Sequence, residues 1–137
     1  MKKLKIFVAY YRVDAGDFAE NIQRLFASFE QYDVFTDVNS IEGDIWTSTI
    51  EDNISNCDIF VVIITQGALQ NLRVEREVLQ AQREKKRIIP CFHENVSRSD
   101  IKWEWELDEI QGFEFSDKYD LIRKLNDALI RFRYKKM

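Results

Sequence analysis

The sequence has few of the residues that build phosphate-binding loops and metal centres. Its 137 residues include four glycines, one proline, two cysteines and one histidine. The motifs Gly-x-x-x-x-Gly-Lys and Gly-x-Gly-x-x-Gly are absent, which argues against a P-loop enzyme and a Rossmann dehydrogenase. With only two cysteines and one histidine, a zinc site is not expected, and Cys57 and Cys91 are expected as buried thiols rather than as a disulfide.

The charge and the start of the chain argue against two kinds of partner, nucleic acid and membrane. The 24 acidic and 20 basic residues give a net charge of -4, and no long basic run is present to neutralise successive phosphates, so we expect no nucleic-acid partner. The apolar run Ile6–Tyr10 is too short for a signal-peptide core or a membrane span. We therefore expect one domain over residues 1–137, located in the cytoplasm and without a membrane partner.

The spacing of apolar residues predicts strands that alternate with helices. Five strands are predicted, at Lys5–Tyr10, Asp33–Asp37, Ile59–Ile64, Arg87–Phe92 and Ile110–Phe115. Helices are predicted from stripes of apolar residues at helical spacing, within 18–29, 46–54, 74–81 and 121–132. Asp14 and Ser116 are expected to cap the first and last helices. Since the third strand is apolar on both faces, the predicted fold is α/β, with a doubly wound, five-stranded parallel sheet.

Ligands of such sheets bind beyond the carboxyl ends of the strands, near the point where the strand order reverses. Tyr10, Tyr11 and Arg12 leave the first strand at this edge, where an aromatic ring can stack on a base and a guanidinium can meet a phosphate. The alternative for Tyr10 is loop anchoring. A phospho-receiver domain is disfavoured because it needs a carboxylate pair at this place.

Further candidates follow the second strand or lie in the long connection before the fifth. Asp37 and Ser40 are candidates for a ribose or phosphate contact, although turn formation explains them nearly as well. Trp46 is a candidate for the core or for a lid over the cleft. Trp103 and Trp105 suit an exposed interface, a base-stacking patch or a covering loop.

Several segments together resemble the TIR (Toll/interleukin receptor) family, a flavodoxin-like fold, over about Lys5 to Phe115. The first strand and its loop, Ile6-Phe-Val-Ala-Tyr-Tyr-Arg-x-Asp14, are similar to the family's opening motif. The remaining matches are Val34-Phe-Thr-Asp37 with Ile41-Glu-Gly43 and Trp46, then Ile63-Ile-Thr-Gln-Gly-Ala-Leu69, Arg73-Val-x-x-Glu-Val78 and Ile88-Ile-Pro90. The chain is thus similar to a single TIR domain of the NAD+-cleaving prokaryotic type.

The resemblance implies a function and a catalytic residue. Catalytic TIR domains carry a glutamate in the helix after the third strand, and that glutamate aligns with Glu77. The implied activity is cleavage of the nicotinamide–ribose bond of NAD+, by hydrolysis or with a cyclic product, with NAD+ as substrate and no cofactor. Self-association of TIR domains, a fused or partner sensor domain, and a role in antiviral defence are also implied. The alternative is a non-catalytic signalling or adaptor module that acts through TIR–TIR contacts.

Helix geometry gives Glu77 a distinct place among the neighbouring charges. At about 100° per residue it lies about 60° from Val74, on the border of the apolar stripe, and should be partly sheltered. Glu75 and Arg76 are expected as surface charges. Arg73 stands where some TIR enzymes have a tryptophan, and we expect its guanidinium to bind the phosphates of the dinucleotide.

Overall fold

The computed structural model of the chain describes residues 2–36, 48–101, 105–107 and 112–136. Within these ranges the chain alternates strands and helices, as the apolar pattern predicts. The strands are β1 (Leu4–Ala9), β2 (Tyr32–Thr36), β3 (Ile59–Ile64), β4 (Arg87–His93) and β5 (Phe113–Phe115). The helices are α1 (Arg12–Phe26), α2 (Ser48–Asn56), α3 (Leu72–Arg83) and α4 (Lys118–Lys136), with short 3-10 turns at Ala68–Gln70 and Arg98–Asp100.

The five strands form one parallel sheet in the order β2-β1-β3-β4-β5. β1 pairs with β2 on one side, with Ile6 opposite Val34, and with β3 on the other, with Ile6 opposite Ile59. The doubly wound α/β architecture is therefore confirmed. All six side chains of β3 are buried, because β3 is central in the sheet and helices cover both of its faces.

The two faces of the sheet carry separate apolar cores. One core packs α1 and α4 against alternate residues of the strands. These residues include Ile6 and Val8 of β1, and Tyr10, which directly follows β1. The other core packs α2 and α3 against the strand residues that alternate with these, including Phe7 and Ala9 of β1. This alternation is the two-residue period of a strand. It decides which helix pair each strand residue meets.

The starts of two helices differ from the predicted caps. Tyr11 occupies the N-cap position of α1 without a side-chain cap bond, so the prediction that Asp14 caps this helix is wrong. At α4 it is Asp117 that caps, because its carboxylate accepts from the backbone N–H of Asp120 at 2.9 Å. The Asp120 carboxylate in turn accepts from the Ser116 backbone N–H at 3.0 Å. The two carboxylates therefore satisfy two backbone N–H groups at the start of α4.

The described part of the chain gives three further facts about its general properties. Cys57 and Cys91 are both free and buried. Burial raises the pKa of the Cys57 thiol to about 11, partly offset by the nearby Lys86 ammonium, and burial also raises the pKa of the Cys91 thiol. None of the described helices is both long and apolar enough to cross a membrane.

Candidate functional site

The strand order reverses between β1 and β3. From β1 the chain passes through α1 to β2 on one side, and from β3 it passes through α3 to β4 on the other. The connections that leave these two strands therefore diverge at the carboxyl edge of the sheet, which is where doubly wound sheets place ligands. In this chain they contain Tyr10 and Tyr11 after β1, and Thr65 to Gly67 after β3.

Glu77 lies on α3, in the second turn of the helix that follows the β3 connection. The helix begins after Asn71, whose side chain accepts from the Val74 backbone N–H at 3.0 Å and so caps it. Glu77 is only 1% exposed. The apolar stripe predicts partial shelter, so its burial is deeper than the local pattern suggests. Glu75 is half-buried and Arg76 is exposed.

Arg73 lies one helical turn before Glu77 and is 4% exposed. Its Nε is 4.0 Å from Glu77 Oε2, so the two charges form a buried i, i+4 ion pair. Its Nη2 also donates to the backbone oxygen of Tyr10 at 3.3 Å. One guanidinium thus joins the candidate catalytic carboxylate to the end of β1, across the point where the strand order reverses.

The three residues after β1 have different environments. Tyr10 is 1% exposed and its ring belongs to the core on the α1 and α4 side, which favours the anchoring alternative for this residue. Tyr11 is half-buried and packs on the opposite core, the one that contains α3. Arg12, the first residue of α1, is exposed. Of the three, Tyr11 is therefore on the same side of the sheet as Glu77.

Asp14 joins the two diverging connections. Its carboxylate accepts from the Thr65 hydroxyl at 2.8 Å and from the Gly67 backbone N–H at 2.9 Å. The Thr65 hydroxyl in turn accepts from the Ala68 backbone N–H at 3.2 Å. The sequence gives no local signal for these bonds because they span 51 and 53 residues. The only hint is that a Thr and a Gly follow the buried β3 strand.

Gln80 continues the buried polar face of α3. It is 1% exposed, and its amide nitrogen shares its hydrogens among the Glu51 backbone oxygen at 3.0 Å, Ser55 Oγ at 3.2 Å and Glu84 Oε2 at 2.7 Å. These contacts hold α2 alongside α3.

Three predicted site residues, Asp37, Ser40 and Trp46, lie outside the described residues, as does Trp103. Trp105 is fully buried in the core beside α3, and its backbone oxygen accepts from the Gln82 side chain. For Trp105 the covering-loop alternative is therefore correct. Across the described ranges, the His, Cys, Asp and Glu side chains form no group of three that could hold a metal ion.

A separate cavity of about 260 Å³ lies at the opposite edge of the sheet. Its lining residues are Arg87, Ile89, Gly112, Phe113, Ala128, Arg131 and Phe132. They lie in the first half of β4, at and just before the start of β5, and in the second half of α4, whereas α3 begins at the carboxyl edge. The cavity is therefore not part of the Glu77 site.

The fold and this edge define a doubly wound α/β domain with a buried carboxylate beside its topological switch point. A sequence profile described as the TIR domain matches residues 6–129. The chain therefore belongs to the TIR domain family. No curated protein matches it significantly by sequence.

Solved structures share the fold at low sequence identity. The TIR domain of the Toll-related receptor TRR-2 from Hydra magnipapillata is 13% identical, with a TM-score of 0.70 over 93% of this chain and 97% of that one. The TIR domains of the activated Roq1 resistosome, which directly recognises the pathogen effector XopQ, are 14% identical, with a TM-score of 0.69 over 92% and 99%. The CMP N-glycosidase BcmB of Clostridium botulinum is 17% identical, with a TM-score of 0.65 over 90% and 98%.

Proposed function

We propose that this TIR domain cleaves the N-glycosidic bond between nicotinamide and ribose in NAD+, with Glu77 as the catalytic carboxylate. The observation that carries the proposal is the burial of Glu77 on α3 beside the end of β1, where the sheet reverses its strand order. The similarity in fold to a CMP N-glycosidase supports the reaction class, since both substrates are ribosides whose base leaves from the same kind of carbon.

Departure of nicotinamide leaves positive charge on the ribose, as in glycoside cleavage. A carboxylate beside that ring stabilises the developing cation. Because Glu77 is only 1% exposed, little water screens it, and one such group can contribute on the order of 3–4 kcal/mol to transition-state stabilisation. The attacking group is water or another atom of the same nucleotide, which gives ADP-ribose or a cyclic product.

Other side chains have supporting roles in this proposal. The half-buried ring of Tyr11, on the α3 side of the sheet, is our candidate to stack on the nicotinamide. The exposed guanidinium of Arg12 and the buried one of Arg73 are candidates for the diphosphate, and Tyr10 contributes through its backbone oxygen. Asp37, Ser40 and Trp46 remain predicted substrate contacts.

The depth of Glu77 also bears on how activity is controlled. A dinucleotide reaches a side chain this covered only after its surroundings rearrange. We propose that self-association of TIR domains in the cytoplasm drives this rearrangement, under the control of a fused or partner sensor, in an immune-like or antiviral response. The activity per molecule should then rise steeply with protein concentration.

The test is release of free nicotinamide from NAD+ at increasing protein concentration, with and without artificial clustering. Glu77→Gln keeps the shape of the side chain and removes its charge, and it should lower the rate by about a hundredfold or more. Glu75→Gln, on the same helix and half-buried, is the matched control and should keep the rate within about threefold. Equal rates for the two variants would reject Glu77 as the catalytic residue.

Two other outcomes are informative. If clustered, folded protein releases cytosine from CMP but no nicotinamide from NAD+, cleavage of an N-glycosidic bond is supported and NAD+ is rejected as the substrate. If it cleaves neither, the second candidate function is favoured, a non-catalytic module that recruits other TIR domains. The similarity to the TIR domain of a Toll-related receptor supports that candidate.

A further inference from the structure

We propose that Asp14 is a positioning residue for Glu77, and that it acts by tying the start of α1 to the connection between β3 and α3. This inference rests on the proposed function for its kinetic consequence. Its structural basis is independent of that function, because it is the pair of hydrogen bonds that Asp14 makes with Thr65 and Gly67.

Both oxygens of the Asp14 carboxylate accept hydrogen bonds from the β3–α3 connection. Oδ1 accepts from the Thr65 hydroxyl and Oδ2 from the Gly67 backbone N–H, at 2.8 and 2.9 Å. Bonds to a charged acceptor are stronger than those between neutral groups. Asp14 is exposed and Thr65 is buried, so the carboxylate contacts the β3–α3 connection from its solvent side.

Gly67 makes this close approach possible. A Cβ atom at position 67 would lie 2.3 Å from Cδ2 of Tyr11 and 2.6 Å from Oδ2 of Asp14. The backbone of Gly67 is in the ordinary right-handed region, with φ of -65°. The glycine is therefore required for space rather than for its backbone conformation.

From Gly67 the chain leads directly to the catalytic candidate. The 3-10 turn Ala68–Gln70 follows at once, and then Asn71 caps α3, which carries Glu77. The Arg73 guanidinium bonds back to the Tyr10 backbone oxygen, four residues before Asp14. Asp14 thus contacts the β3–α3 connection, and the Tyr10 backbone oxygen contacts α3 itself. Together these contacts set the position of the Glu77 carboxylate.

The test compares variants by steady-state kinetics of nicotinamide release, at a temperature where all are folded. Asp14→Ala loses both bonds, and we expect kcat to fall by about tenfold to a hundredfold with KM changed by less than about threefold, because the carboxylate is displaced from the transition state. Asp14→Asn should restore kcat to within about threefold of the native value. Its amide oxygen can accept from Gly67 and its amide nitrogen can donate to Thr65.

Two controls separate positioning from a loss of stability. Leu129→Ala, in the core of α4 on the other face of the sheet, should lower Tm at least as much as Asp14→Ala and yet keep kcat. Gly67→Ala disturbs the same contact from the other side and should reproduce the loss of kcat if Asp14→Ala fails to fold. Loss of kcat in proportion to Tm in all of these variants would overturn the proposal.

A readout without catalysis keeps the two proposals distinct. Asp14→Ala should raise the amide hydrogen exchange of Gly67 by about tenfold or more, since that N–H loses its acceptor. Faster exchange at Gly67 with an unchanged kcat would overturn the positioning role alone. Unchanged nicotinamide release in Glu77→Gln would overturn the proposed function instead.

Discussion

The buried pair of Arg73 and Glu77 allows a quantitative prediction about stability. The Nε–Oε2 distance of 4.0 Å corresponds to a gross attraction of about 4 kcal/mol at an effective dielectric constant of about 20. The side chains are 4% and 2% exposed, so desolvation of the two charges offsets much of this attraction. Removal of either partner, however, leaves the other charge buried. We therefore expect Arg73→Met and Glu77→Gln each to lower the free energy of unfolding by about 2–4 kcal/mol.

The double variant is the decisive measurement. Arg73→Met combined with Glu77→Gln removes both charges, and we expect its loss of stability to be smaller than the sum of the single losses by about 1–3 kcal/mol. Urea unfolding followed by circular dichroism gives these values, provided that the m-value is constant across the four proteins. Arg76→Met, an exposed charge on the same helix, should change stability by less than about 0.5 kcal/mol.

Additive losses, within about 0.5 kcal/mol, would refute the electrostatic coupling between Arg73 and Glu77. The same variants test the substrate role of Arg73. Binding of the dinucleotide phosphates by its guanidinium predicts a weaker substrate affinity in Arg73→Ala. An unchanged affinity together with a large coupling energy would leave Arg73 as a structural partner of Glu77.

Four other variants and one pH series test local packing, backbone strain and the burial of a thiol. Gly16→Ala should raise the free energy of unfolding by up to about 1 kcal/mol, because Gly16 is in a helix interior and its Cβ would be 3.8 Å from the nearest atom. Gly112→Ala should lower the free energy of unfolding by about 1–3 kcal/mol, because its Cβ would lie 2.3 Å from the Pro90 backbone oxygen. Lys85→Gly should also raise Tm, because Lys85 has φ of 56°, in the left-handed region that glycine adopts without strain. The pKa of Cys57 is raised from 9.0 to about 11, so its contribution to stability is complete below pH 9.0 and is lost as the pH rises towards about 11. Urea unfolding across this range should show the loss, and Cys57→Ala should reduce it.

The order of strands and helices could be predicted because apolar periodicity is a local signal. Ile59–Ile64 is apolar at every position, and the structure buries all six of these residues in the central strand. The bounds of β2 differ by one residue from the prediction, since the strand runs from Tyr32 to Thr36. The pairing of Leu4 with Tyr32 sets that start, and pairing between strands is not visible in the β2 segment alone.

The candidate site could be predicted only in part, because its contacts join distant segments. Helix periodicity predicts Glu77 at the edge of an apolar stripe, but its nearly complete burial needs neighbours outside α3. The prediction for Asp14 failed for a related reason. An acid near a helix start resembles a cap, whereas its partners Thr65 and Gly67 are brought to it by the fold.

The polar residues on α3 are harder to explain by stability than by function. Val74, Val78 and Ala81 already give this helix a fully buried apolar stripe that docks it on the sheet. Beside that stripe, Arg73 and Glu77 bury two charges, which costs more than apolar side chains of the same size would. Departures of this kind from the rules of core composition are expected at functional sites. The buried pair on α3 is therefore the strongest physical argument for a site at this edge of the sheet, and it is independent of the resemblance that singled out Glu77.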